Sequence, residues 1–170
     1  MKRIKRWFVT LFATLFCVFS LPACVLPQLG NVGASDTSAV VGTYELSGLW
    51  SEGVEANIGN ATNVWGNNLI IKRTAVTLTL TDRKFELCFN EPLLFGYDKL
   101  TFNGKYTLSD NAIRLRYTSV EIVDGYSTMK QFQLFPVDLS KVMTITVQGE
   151  QLIMCDTEND LRFTLTKVQQ

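Results

Sequence analysis

From residue 41 onward, apolar and polar side chains alternate along the chain with a period of two. Tyr44, Leu46, Gly48 and Trp50 fall on one side of the first run, with Thr43, Glu45 and Ser47 on the other. Val76, Leu78 and Leu80 alternate with Thr77, Thr79 and Thr81. Phe85, Leu87 and Phe89 alternate with Lys84, Glu86 and Cys88. This is the signature of strands with one face buried and one in water. Threonines on the wet face suit strands, because β-branched side chains are stiff and pack well on a pleated surface. No ten-residue stretch has a helical period. The pattern predicts eight strands, at 43–50, 70–80, 84–90, 103–108, 112–122, 141–148, 151–156 and 161–168. A further short segment at 130–134 is a candidate extension of one of them.

Turn signals between these runs are short. Asp82-Arg83, Ser109-Asp110-Asn111, Gly149-Glu150 and the 157–160 segment each reverse the chain, so sequence neighbours pair antiparallel. Such a meander has two exposed edges, and closure into a barrel removes both. The expected fold is all-β, an eight-stranded antiparallel up-and-down barrel over residues 41–170. A two-sheet β-sandwich is the alternative, because periodicity does not separate it from a flattened barrel.

The N-terminal segment has a different pattern. Lys2, Arg3, Lys5 and Arg6 precede an uncharged apolar run at 7–21, which ends in Leu21-Pro22-Ala23-Cys24. That run is shorter than the roughly 20 apolar residues of a membrane span and reads as an export signal over 1–23. Leu21, Ala23 and Cys24 resemble the bacterial lipobox, in which the cysteine is acylated with fatty chains such as palmitate; Pro22 departs from it. The resemblance implies lipidation at Cys24, with several chains anchoring the protein at ~0.8 kcal/mol per buried methylene. The alternative is a plain secretory signal cut after Ala23 or Ala34, which leaves a periplasmic or secreted protein. Val25 is not the Asp that commonly retains such lipoproteins on the inner membrane, so the expected place is the outer membrane where the cell has one. Residues 24–40 carry Pro27, Gly30 and Gly33 with small polar side chains and read as the lipidated cysteine and a flexible tether. A strand packed on the barrel is the alternative for this segment.

Charge narrows the partners. Four of the 16 basic residues and none of the 16 acidic ones lie in the signal, which leaves 12 against 16 and a net charge of −4. No basic stripe interleaved with aromatics remains, so no nucleic-acid partner is expected. The chain has no histidine, which excludes Ser-His, Cys-His and zinc-His arrangements. No catalytic residue, metal or cofactor is expected, and the protein is expected to be monomeric. Cys88 and Cys155 fall on distant strands of the meander and are expected to remain thiols. The 156–160 turn lacks the Gly and Glu of a calcium loop.

Val41-Gly42-Thr43-Tyr44-Glu45-Leu46 resembles the opening strand of lipocalins, with Tyr44 where Trp is usual. Phe163-Thr164-Leu165-Thr166-Lys167-Val168 is similar to their closing strand, with Lys167 where Arg is frequent. The resemblance to the lipocalin-like domains of bacterial lipoproteins implies a barrel over 41–168 that binds a small apolar ligand or lipid. It also implies a barrel-closing pair, Tyr44 and Lys167, with the lysine over the ring or reaching a carbonyl. The ligand-lining candidates are Leu46, Trp50, Ile58, Trp65, Leu78, Leu87, Phe89, Leu115 and Phe163. The Asn-rich stretch at 51–68 reads as a loop over the mouth, with Trp65 and Ile58 either a lid or a plug of core. Apolar residues 92–97 read as a rim loop or a partner contact. The alternative to a carrier is a barrel filled by its own side chains that acts as a non-catalytic envelope interaction protein.

Overall fold

The computed structural model describes residues 37–65, 68–124, 133–137 and 144–169, all within the compact unit Asn31–Gln170. The signal, Cys24, most of the tether, Met143 and most of the 130–134 segment lie outside the described residues. Among the described residues eleven strands form: β1 (Gly42–Ser51), β2 (Val54–Gly59), β3 (Asn63–Trp65), β4 (Asn68–Lys72), β5 (Val76–Leu80), β6 (Lys84–Phe89), β7 (Lys99–Ser109), β8 (Ala112–Val123), β9 (Thr144–Gln148), β10 (Gln151–Asp156) and β11 (Leu161–Lys167). A single helical turn, α1 (Pro92–Phe95), lies between β6 and β7.

Eight of these strands make the barrel. The order β11-β10-β9-β8-β7-β6-β5-β1 closes through β1 pairing antiparallel with β11. The inner faces supply one core, from Leu46, Leu49, Leu78, Leu80, Phe89, Leu100, Ile113, Ile145, Leu152, Met154, Phe163 and Leu165, all between 0 and 2% exposed. Burial of that many apolar side chains is the main term that stabilises the fold, at ~25 cal/mol per Å2 removed from water. Cys88 on β6 and Cys155 on β10 are both thiols. Three strands separate them in either direction around the barrel.

Two irregularities change which side chains face in. In β1 the register with β11 slips between Leu46 and Gly48, which makes Ser47 an extra residue. Thr166 donates its hydroxyl to Ser47 Oγ at 2.8 Å, and Ser47 donates to the Thr164 carbonyl at 3.1 Å. A bulge reverses the facing of everything after it. Leu49, opposite Phe163, therefore points inward, while Trp50, opposite exposed Arg162, points outward. The alternation read from sequence places Gly48 and Trp50 inside, and the bulge corrects it. The second slip, between Asn103 and Gly104 on β7, leaves Thr118 as the extra residue of β8.

The predicted strand at 70–80 is two strands. A 3-10 turn at Arg73–Ala75 breaks it, so that β4 leaves the barrel and pairs in parallel with β2, while β5 joins β1. The predicted mouth loop at 51–68 is accordingly structured: β1 turns through Glu52-Gly53 into β2, and β3 pairs with β4. This accessory sheet is tied to the barrel by Glu91, which accepts the Thr62 hydroxyl at 2.8 Å and pairs with Lys72 at 3.2 Å.

Both ends of the barrel are covered. At one end α1 starts on Pro92, stops at Gly96 in the left-handed region, and seats Leu94 and Phe95 at 0% exposure. Phe135 donates its backbone N–H to the Leu94 carbonyl and is itself buried. Leu94 and Phe95 are thus core and not an exposed contact, because the helical turn points them back into the barrel, while Pro92 and Leu93 stay half-buried at its rim. At the other end the final residues of the expected tether form a 3-10 turn, Thr37–Val40, with Val40 buried. Tyr44 donates to the Val40 carbonyl at 2.9 Å, and Tyr106 donates to the Thr81 carbonyl at 3.0 Å.

Those two phenols make the stability of the fold depend on alkaline pH. Burial, then the neighbouring Tyr106, pushes Tyr44 above the ordinary tyrosine value. Burial, then the Asp82 charge, pushes Tyr106 up likewise. The folded state therefore holds these protons where the unfolded chain begins to release them, near pH 10. Their contribution is complete below about pH 10 and declines as pH rises through the folded values. The urea midpoint is expected to fall above about pH 10. In Tyr44→Phe/Tyr106→Phe the decline is shallower; an unchanged slope contradicts the assignment.

Candidate functional site

Of the nine ligand-lining candidates, five form the packed interior: Leu46, Leu78, Leu87, Phe89 and Phe163, each at most 5% exposed. Their neighbours leave them in van der Waals contact with protein. The Phe89 ring lies 5.0 Å from Phe95, 6.2 Å from Phe102 and 5.8 Å from Phe163, each edge to face. Phe95 also meets Phe163 at 6.3 Å. Edge-to-face rings at these separations are favourable packing, and here they span the barrel centre from β6, β7, β11 and α1.

The other candidates lie elsewhere. Ile58 and Leu115 are half-buried against the edge of the core. Trp50 is turned outward by the Ser47 bulge. Trp65 is 76% exposed on β3, so it is not a plug of core. The reason is its strand: β3 pairs with β4 at the margin of the accessory sheet, where Trp65 lies opposite exposed Asn68. Cys24 lies outside the described residues. Tyr44 and Lys167 stand directly opposite each other in the β1–β11 register. Both reach the Thr37–Val40 turn, Tyr44 at the Val40 carbonyl and Lys167 Nζ at the Ala39 carbonyl, 3.5 Å away. The lysine stem passes so close to Gly42 that a β-carbon there would meet Lys167 Cε at 2.6 Å.

A site that the sequence reading does not identify lies on the outside. Thr79, Thr81, Lys84, Glu86, Asn103, Lys105 and Thr118, with Phe85 and Gly104 between them, line an open depression of about 420 Å3. The polar side chains come from the wet faces of β5, β6, β7 and β8. Register explains why they converge: Lys84 stands opposite Lys105, and Lys105 opposite Arg116. Three cations therefore lie in one line across three strands, and all three are exposed. Glu86 and Asn103 form the next row along, with Thr79 opposite Glu86. Among the described residues, none of the three cations takes part in an ion pair. The separate outward positions of Lys84 and Glu86 are legible as alternation, but their meeting with Lys105 depends on strand pairing.

Among the described residues, no group of three or more His, Cys, Asp or Glu is placed to hold a metal ion. No helix among them is long and apolar enough to cross a membrane. The chain is thus a β-barrel with a covered, packed interior and a polar, cationic depression on its outer wall. Comparison with protein-family models, curated proteins and solved structures finds no match.

Proposed function

We propose that the chain is a lipid-anchored, non-catalytic binding protein of the bacterial cell envelope that meets its ligand on the outside of a filled, lipocalin-like barrel. One observation carries this reading: the Phe89, Phe95, Phe102 and Phe163 cluster occupies the barrel centre, with covers at both ends. Small barrels are commonly filled by their own side chains, and an apolar ligand has to displace packed atoms to enter one. The anchor is supported by the order of basic head, apolar run and Leu21-Pro22-Ala23-Cys24.

A second reading, an apolar ligand carrier, draws on β8. Its inward residues Leu115, Tyr117 and Val120 are only half-buried, and Ile122 is 47% exposed. Among the described residues β8 pairs with β9 only through Ala112 and Ile113. A ligand at that flank would bury apolar area without entering the phenylalanine cluster. Titration with an apolar fluorescent dye separates the readings. The filled barrel predicts no saturable site; one stoichiometric site, weakened by Leu115→Asp, supports the carrier instead. Labelled palmitate tests the anchor and is expected on wild type but not on Cys24→Ala. Its absence from wild type leaves a periplasmic or secreted barrel.

A further inference from the structure

We infer that the outer depression between β5 and β8 is a binding site for an acidic saccharide, a sugar unit that carries a carboxylate or phosphate. The inference deepens the reading that the outside of the barrel meets the ligand.

The cationic row carries an electrostatic cost. Like charges directly opposite on neighbouring strands repel, with β-carbons only ~4.5–5.5 Å apart, and such pairs destabilise a sheet. Here the arrangement occurs twice in succession, at Lys84–Lys105 and Lys105–Arg116. No carboxylate of the described residues lies within ion-pair distance of any of the three. An anion bound over the row offsets the repulsion. The ammonium groups supply point charge, and the Arg116 guanidinium supplies a fork that suits carboxylate or phosphate.

The rest of the wall is rich in hydrogen-bonding groups. Thr79 and Asn103 offer a hydroxyl and an amide able to donate and accept, while the Thr81 and Thr118 hydroxyls donate to the Lys84 and Asn103 carbonyls and present acceptor lone pairs. Glu86 offers a carboxylate two residues from Lys84, on the same face of β6. It repels a bare anion and is suited to accept hydrogen bonds from O–H groups. A ligand that satisfies both ends carries one anionic group and several hydroxyls, which is the chemistry of an acidic sugar. The volume of about 420 Å3 falls within the ~300–1,000 Å3 range of small-molecule sites. Gly104 lets the strands beneath the depression close up: a β-carbon there would meet the backbone of Tyr117 at 2.5 Å and the buried Phe85 ring at 2.8 Å.

The test uses the full chain, titrated calorimetrically with polygalacturonate, with dextran as the neutral control. Polygalacturonate is expected to bind and dextran is not. Lys84→Thr/Lys105→Thr is expected to weaken binding at least ~10-fold, about 1.4 kcal/mol, and to raise the melting temperature by relieving the repulsion. Lys99→Ala, which removes one exposed charge at the far end of β7, is expected to change binding less than about twofold, the scale of a peripheral charge. Lys84→Arg/Lys105→Arg is expected to retain binding, which shows that the loss comes from charge and not from misfolding. Failure of polygalacturonate to bind, equal binding of dextran, or unchanged binding by the threonine variant overturns the proposal. So does capture by phosphatidylglycerol vesicles without polygalacturonate binding, which assigns the row to a membrane surface. An apolar ligand found inside the barrel would sink the outer-surface reading of function while leaving this assay interpretable.

Discussion

Phe163→Ala is expected to lower the unfolding free energy by about 3–5 kcal/mol, the cost of deleting a buried ring and leaving a void. The side chain is fully buried at the barrel centre. It stands opposite Leu49 on β1 and Met154 on β10, and its ring touches Phe89 and Phe95. The neighbours cannot collapse to fill the gap, because each is fixed by its own strand or by α1. A typical domain has about 5–15 kcal/mol in all, so the variant is left marginal. Urea titration measures the effect as a lower midpoint at unchanged slope. The deletion also creates an apolar cavity beside Phe89 and Phe95, so benzene is expected to raise the melting temperature of the variant more than that of wild type. Trp65→Ala is the counterpart. With the side chain mostly in water, the stability change is expected within about ±0.5 kcal/mol.

Gly104→Val is expected to cost about 3 kcal/mol, toward the upper end for adding atoms to a packed site. The glycine lies at the β7–β8 bulge, opposite Tyr117 and Phe85. An added β-carbon would collide with the Arg116 carbonyl and the Tyr117 α-carbon, and these are backbone atoms that cannot rotate away. Relief requires the strands to part at the bulge, which also deforms the floor of the outer depression. Polygalacturonate binding is therefore expected to weaken together with the melting temperature. Gly149→Ala separates local crowding from a generic glycine effect. A β-carbon there meets nothing within 4 Å, and the cost comes only from the positive φ of 61°. A Gly104→Val protein as stable as wild type would show that the strands at the bulge are not in contact as described.

What is legible in the sequence follows from local periodicity. The opening and closing strands stand out because Tyr44, Leu46, Phe163 and Leu165 alternate cleanly with polar residues, and the structure pairs the two strands across the closure. Beyond Ser47 the pattern misleads. A bulge adds one residue without changing composition, and glycine at 48 has no side chain to mark its face. The accessory sheet escapes for a different reason. Asparagine is disfavoured in strands, and the β2–β4 pairing is parallel and non-local, so nothing within 51–68 announces it. Leu94 and Phe95 belong to one helical turn, too short to display a period. The outer depression is the least legible part. Each of Lys84, Lys105 and Arg116 reads singly as an ordinary solvated charge, and only the register of three strands aligns them.

The central claim is that the barrel is filled and that its ligand lies outside. Native mass spectrometry of the full chain purified from expressing cells, compared with the denatured mass of the same sample, tests it most directly. Acyl groups at Cys24 are covalent and persist in both measurements. The filled barrel predicts equal masses, with no apolar molecule lost on denaturation. A stoichiometric lipid present in the native mass and released by unfolding would contradict the claim and make the barrel a carrier.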